Sequence, residues 1–176
     1  MVGMIDVLQQ EHRDIARLLD MVDQQINGKV ALDLDLLHEI VEYCLTYPDQ
    51  YHHPKEDLIY RALCQHDQRV EPAIDDLEAE HEELAILTRE FAALVEQARA
   101  AGAHHPLSFK ELGQSFLDFY RQHMTKEEQW FFPDALKTLA PEEWSDLEAE
   151  VTDPTDPLFH EKGADRLRSL LDRATI

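Results

Sequence analysis

Four long stretches of this 176-residue chain repeat apolar residues at alternating steps of three and four, and each repeat is interrupted by one histidine. That spacing keeps one side of an α-helix apolar along its whole length, the seam by which helices pack into a bundle. The first seam reads Ile5, Leu8, His12, Ile15, Leu19, Val22, Ile26, and the second Leu37, Val41, Leu45, Pro48, His52, Glu56, Ile59, Leu63. The third reads Ile74, Leu77, His81, Leu84, Thr88, Phe91, Val95, and the fourth Phe109, Leu112, Phe116, Phe119, His123, Glu127, Trp130. No alternating strand pattern competes with them, so the expected fold is all-α, an antiparallel up-and-down four-helix bundle with short C-terminal helices.

Glycine and proline punctuate the seams. The first helix is expected over Met4 to Asn27, stopping at Gly28, and the second from about Asp33 to His66, with Pro48 and Pro54 kinking or splitting it near His52. The third runs from about Pro72 to Ala101. The fourth opens on a capping box at Ser108 to Glu111 and continues toward Leu139 past a kink at Pro133. Pro141 to Val151 and Ala164 to Ala174 read as two further short helices. Residues 1–140 would then form the bundle and residues 141–176 a helical extension packed on it, one domain in all.

Thirty-seven acidic against sixteen basic residues leave a formal charge of −21, which disfavours nucleic acid and anionic membrane surfaces as partners. With no signal-like start and no membrane-length apolar run, a cytoplasmic location is expected. There Cys44 and Cys64 would stay reduced, both as buried thiols.

Ten histidines are the unusual part of the composition. Four of them, His38, His52, His53 and His123, have a carboxylate four residues on, where the acid content would place about two by chance. The spacing alone therefore says little, and the seams sort the candidates. His38 lies about two heptads from His52, some 21 Å along the axis, and reads as a surface residue. The seam histidines His12, His52, His81 and His123 fall within about five residues of a common height, roughly 5 to 8 Å. Burying four imidazoles with Glu56 and Glu127 in one layer would cost several kcal/mol per uncompensated group. Nitrogen and carboxylate donors without thiolate suit iron, manganese or zinc, and six of them suit two ions bridged by Glu56 and Glu127.

At these residues the chain resembles the hemerythrin-like family, the His-His-Glu cation-binding domains. The likeness is carried by Glu11-His12-Arg13, His52-His53-Pro54-Lys55-Glu56, Glu80-His81 and His123-Met124-Thr125-Lys126-Glu127-Glu128, with Asp156-Pro157-Leu158-Phe159 trailing. The resemblance implies two non-haem iron ions joined by an oxo or hydroxo group. His12, His52, His81 and His123 would be terminal ligands, and O2, NO or small anions would bind at an open position; zinc or manganese would substitute in recombinant material. Oxygen-carrying hemerythrins have a His-x-x-x-His pair on the third helix, whereas Leu77 and Ala85 flank His81 here. One ion then lacks a protein ligand unless His53, or a glutamate such as Glu78, supplies it; His53 equally fits a role behind the ligands. Tyr51 and Tyr120 read either as core residues or as phenols donating to a metal-bound oxygen species. His66, His104, His105 and His160 read as exposed. Two function classes stay open: a protein that binds O2 or NO or senses and handles iron and oxygen, and a di-iron enzyme acting as peroxidase, oxidase or repairer of iron centres. A structural bundle with incidental zinc is the third.

Overall fold

A computed structural model describes residues 3–28, 30–66, 77–101, 107–151 and 169, and among these there is no strand. The helices are α1 (Met4–Asn27), α2 (Leu34–Tyr47), α3 (His53–His66), α4 (Leu77–Ala101), α5 (Leu107–Lys126), α6 (Phe132–Thr138) and α7 (Pro141–Glu150). Five-residue π-helical turns, Pro48–His52 and Glu127–Phe131, join α2 to α3 and α5 to α6. The four arms of the bundle are α1, α2 with α3, α4, and α5 with α6; α4 packs on α2 and α5, and α5 on α1.

The π turns are where the prolines act. Pro54 and Pro133 lack an N–H, and their rings crowd the carbonyl four residues back, which falls inside each π segment. The helix answers by widening: the His53 N–H donates to the Pro48 carbonyl, and the Phe132 N–H to the Glu127 carbonyl, each five residues back. The expected kink near His52 is therefore a wide turn through which the helix continues.

Helix starts follow ordinary capping. Asp33 accepts from the Leu36 N–H at 2.9 Å, and Pro141 opens α7 while the Ala140 N–H donates to Glu143 at 2.8 Å. The expected cap at Ser108 is corrected, because α5 is already helical at Leu107. The start of the third helix at Pro72, the stop at Gly102, the helix over Ala164 to Ala174 (Ser169 excepted), and His104, His105 and His160 lie outside the described residues. Cys44 is buried, its thiol pushed up to about 12 by burial, but Cys64 is exposed, which corrects the expectation for that residue. Trp130 is 36% exposed; the wider π turn carries the inward face on to Phe131 instead.

The apolar core is in two parts. Ile15, Leu18, Leu37, Tyr47, Leu84, Phe91, Phe116 and Tyr120 belong to the larger cluster. Ile5, Leu8, Ile59, Leu77, Phe131 and Phe132 belong to the smaller one, against which α7 lays Leu147. The break between the clusters falls at His12 on the first arm, across His52 to Glu56 on the second, at His81 on the third and, past Met124, at Glu127 on the fourth. Gly113 lets α5 close on its neighbours, since a Cβ there would lie 2.4 Å from Ile26 Cδ1 and 3.0 Å from the Phe91 ring. Phe91 is fully buried and packs on Phe109 and Phe116 at 5.7 and 5.3 Å between ring centroids. Phe91→Ala is expected to cost about 3–5 kcal/mol, read as a lowered midpoint in urea unfolding.

Candidate metal centre

Between the two apolar clusters lies a slab of polar side chains: His12, His52, His53, Glu56, His81, His123 and Glu127, all buried. α1 supplies His12, and the first π turn with the opening of α3 supplies His52, His53 and Glu56. His81 comes from α4, His123 from the last turn of α5, and Glu127 opens the second π turn. His12, His81, His123 and Glu127 continue faces that Leu8, Leu77 and Leu84, Phe119 and Phe131 occupy one turn away.

The two carboxylates divide the imidazoles into two groups. Glu56 Oε1 lies 3.4 Å from His12 Nε2 and 3.3 Å from His52 Nε2, while Oε2 lies 3.5 Å from His81 Nε2. Glu127 Oε2 lies 3.3 Å from His12 Nε2, and Oε1 lies 3.4 Å from His81 Nε2 and 3.1 Å from His123 Nε2. Each carboxylate thus offers one oxygen to the His12 and His52 side and the other to the His81 and His123 side. Two groups of donor atoms, His12 with His52 and Glu56, and His53 with Glu56, His81 and His123, are each close enough to hold an ion.

Behind the imidazoles stands a set of acids that sequence reasoning passed over. His52 Nδ1 donates to Glu11 at 2.7 Å, His81 Nδ1 to Asp57 at 2.7 Å, His12 Nδ1 to Glu128 at 3.0 Å and His123 Nδ1 to Glu80 at 3.3 Å. A carboxylate at Nδ1 fixes the proton there and turns the Nε2 lone pair inward, the arrangement found behind metal-bound histidines. The Tyr47 hydroxyl donates to Glu11 at 2.8 Å, and buried Lys55 lies 3.5 Å from the same carboxylate. Lys126 pairs with Glu80, and Gln9 donates to Glu128 at 2.8 Å. The available signal was adjacency: each of the four acids is the chain neighbour of a seam residue.

Other candidates fall elsewhere. Tyr51 is 38% exposed and packs on Tyr47, so its candidacy for the centre is corrected; its neighbour His52 takes the inward position. Tyr120 is buried, its hydroxyl has no hydrogen-bond partner, and its ring lies 6.4 Å from that of His53. Glu78 is bound to Arg61 at 2.5 Å rather than to the centre. His38 is half-buried at the surface near Glu96. His66 is exposed and pairs with Glu143. His53 stacks on His81 with centroids 4.4 Å apart. Ala85, one turn beyond His81, lines a cavity of about 470 Å³ that reaches His53, Asp57, His81 and Arg89.

The electrostatics are those of an internal salt cluster. Burial works against charge on the four carboxylate-facing imidazoles, but the acids outweigh it. His81 is raised to about 12 by Asp57, Glu127 and Glu56, and His123 to about 9 by Glu127 and Glu80. His12 and His52 are raised likewise, and against their own burial Glu56 and Glu127 are held well below the usual carboxylate range by the facing histidines. His53 differs: burial and the charges of His81 and His52 keep it neutral. Buried atoms of the slab nevertheless stay without a hydrogen bond, namely His12 Nε2, His53 Nδ1, both Glu56 oxygens, His123 Nε2 and Glu127 Oε2. Most of these converge where the two donor groups meet, and such orphaned lone pairs fit cations.

A family model described as the hemerythrin HHE cation-binding domain matches residues 3–137. No curated protein and no solved structure matches the chain.

A pH dependence follows for metal-free protein. A histidine raised on folding contributes stability that is complete below its ordinary value of 6.5 and is lost as pH rises through the folded value, about 9 for His123. The limiting loss is roughly 1.4 kcal/mol per pH unit for each titrating imidazole. Urea unfolding of metal-free protein is expected to give a lower stability at pH 9 than at pH 6.5. Metal-loaded protein should not follow that fall, because its ligands are already deprotonated.

Proposed function

Because the chain belongs to the hemerythrin family of HHE cation-binding domains, we propose that it is a non-haem di-iron protein that binds O2 or NO, or senses and handles iron and oxygen. The observation that carries this reading is the division of labour at Glu56 and Glu127, each turning one oxygen toward His12 and the other toward His81. A single ion would leave half of these oxygens unused, whereas two ions use all four. His12 and His52 would hold one iron, His81 and His123 the other, and both carboxylates would bridge. His53, neutral and stacked on His81, is the fifth imidazole and joins the His81 side.

A bridged pair of irons would supply a redox-active centre with room for a diatomic ligand or small anion. Around it the chain does the rest. Glu11, Asp57, Glu80 and Glu128 hold the proton of each partner imidazole at Nδ1. The two apolar clusters exclude water from above and below. Burial keeps the Tyr120 phenol protonated, a donor beside His53 that is not committed to another group.

A second reading, a di-iron oxidase, peroxidase or iron-centre repair protein, is favoured by the cavity of about 470 Å³ that reaches His53 and His81, since a reactant larger than a gas molecule would find space there. Turnover of peroxide or ferrous iron separates the two.

Iron-loaded protein is expected to carry two irons per chain by elemental analysis. In air it should show a ligand-to-iron charge-transfer band that shifts on adding azide. His123→Ala and Glu127→Ala should each lose metal, at least tenfold in affinity. Unchanged metal content in both variants, or a colourless iron-free chain after anaerobic loading, would refute the assignment.

A further inference from the structure

The four acids behind the histidines are arranged around the bundle in a particular order. Each sits next in sequence to a residue of the inner layer: Glu11 precedes His12, Asp57 follows Glu56, Glu80 precedes His81, and Glu128 follows Glu127. Adjacent residues on a helix point about 100° apart, so an acid beside an inward-facing residue points sideways, toward the next helix. None of the four serves its own arm. Glu11 of the first arm binds His52 of the second. Asp57 of the second binds His81 of the third, and Glu80 of the third binds His123 of the fourth. Glu128 of the fourth returns to His12 of the first. The sequence of contacts runs once round the bundle and closes.

We propose that Glu11, Asp57, Glu80 and Glu128 form a closed positioning ring in which each arm of the bundle orients the metal-binding histidine of the next arm. This rests on the reading of His12, His52, His81 and His123 as ligands. With the ring closed, no histidine depends on its own helix for its orientation, and none can swing away without breaking a contact held by a neighbour. Both donor groups are tied into one ring, His12 and His52 through Glu128 and Glu11, His81 and His123 through Asp57 and Glu80. Three of the acids are themselves held from outside, Glu11 by Tyr47, Glu80 by Lys126 and Glu128 by Gln9. His53 stands apart: its Nδ1 is buried with no hydrogen-bond partner, and its place is set by stacking on His81. It is the one imidazole of the slab whose orientation the ring leaves alone, and it serves as an internal control.

The test uses the full chain loaded with zinc, which is diamagnetic, and reads the imidazole Nδ1–H protons by NMR. Glu11→Ala should speed solvent exchange of the His52 Nδ1–H alone. Asp57→Ala should do so for His81, Glu80→Ala for His123 and Glu128→Ala for His12, with zinc affinity falling about 10- to 100-fold in each. Glu11→Gln and Asp57→Asn keep an oxygen that accepts from Nδ1–H and should recover most of the loss, which a role through charge alone would not allow. The ring is overturned if Glu11→Ala disturbs His12 in place of His52, if the four variants affect all histidines alike, or if the amide variants behave as the alanine ones. A second measurement needs no metal. In double-mutant cycles on metal-free protein, Glu11→Ala should couple to His52→Ala by about fivefold or more in the unfolding constant and not to His12→Ala. Equal coupling to both refutes the ring. Should zinc and iron fail to bind at all, the di-iron reading falls while these cycles still judge the ring.

Discussion

The structure turns on two carboxylates held in the middle of a helical bundle with imidazoles on both sides. Glu56 and Glu127 are completely buried. An ionised carboxylate moved from water into a protein interior costs several kcal/mol even after relaxation, so it persists only where opposite charge and hydrogen bonds offset the loss. Here the offset without metal is protonated histidine, and with metal it would be the ions themselves. The same positions therefore serve two electrostatic states, and protons and cations compete for one set of lone pairs. This explains why the slab is confined to one turn on each arm and bounded by clusters led by Leu8 and Phe132 on one side and Ile15 and Phe116 on the other. A longer polar stretch would leave too little apolar surface to hold the arms together.

The two π turns place the slab. A π turn adds one residue to a turn of helix and so rotates everything after it relative to everything before, which changes which residues face the core. The wider turn over Pro48–His52 alters the phase, and both His52 and His53 end up inside. On the fourth arm the turn begins at Glu127 and brings Phe131 and Phe132 inward together behind it. Pro54 and Pro133, which the sequence marks as breaks, are better understood as the causes of these phase changes.

That distinction also accounts for what could be read in advance. The seams, the four arms and the coming together of His12, His52, Glu56, His81, His123 and Glu127 were legible because each depends only on spacing along one helix. The misjudged residues are those whose fate is decided between helices or at a phase change. Tyr51 and Trp130 sit in or beside π turns and were carried outward, whereas Tyr47 moved into the core and onto Glu11. Cys64 follows buried Leu63 on α3 and falls on the side of that helix turned to solvent. Glu11, Asp57, Glu80 and Glu128 look like ordinary acids in a chain that carries thirty-seven of them, and only the packing of one arm on the next distinguishes them.

The two donor groups are unequal, and the inequality bears on how the centre would work. The His12 and His52 side has two imidazoles and two carboxylate oxygens, the His81 side three imidazoles and two oxygens. On the proposed reading, vacant coordination falls to the iron held by His12 and His52. Yet the cavity of about 470 Å³ opens on the opposite side, along His53, His81 and Ala85. Where the oxygen-carrying hemerythrins have a His-x-x-x-His pair on the third helix, this chain has Leu77 and Ala85 flanking His81, with the cavity beside Ala85, and on the proposed reading the fifth imidazole would come from the neighbouring arm without a carboxylate to hold it. His53 is thus the donor with the least to fix it and the most space beside it. A centre built this way has one vacancy by donor count and a second wherever His53 gives way, which suits a protein that exchanges ligands or ions at the centre better than one that only stores a gas reversibly.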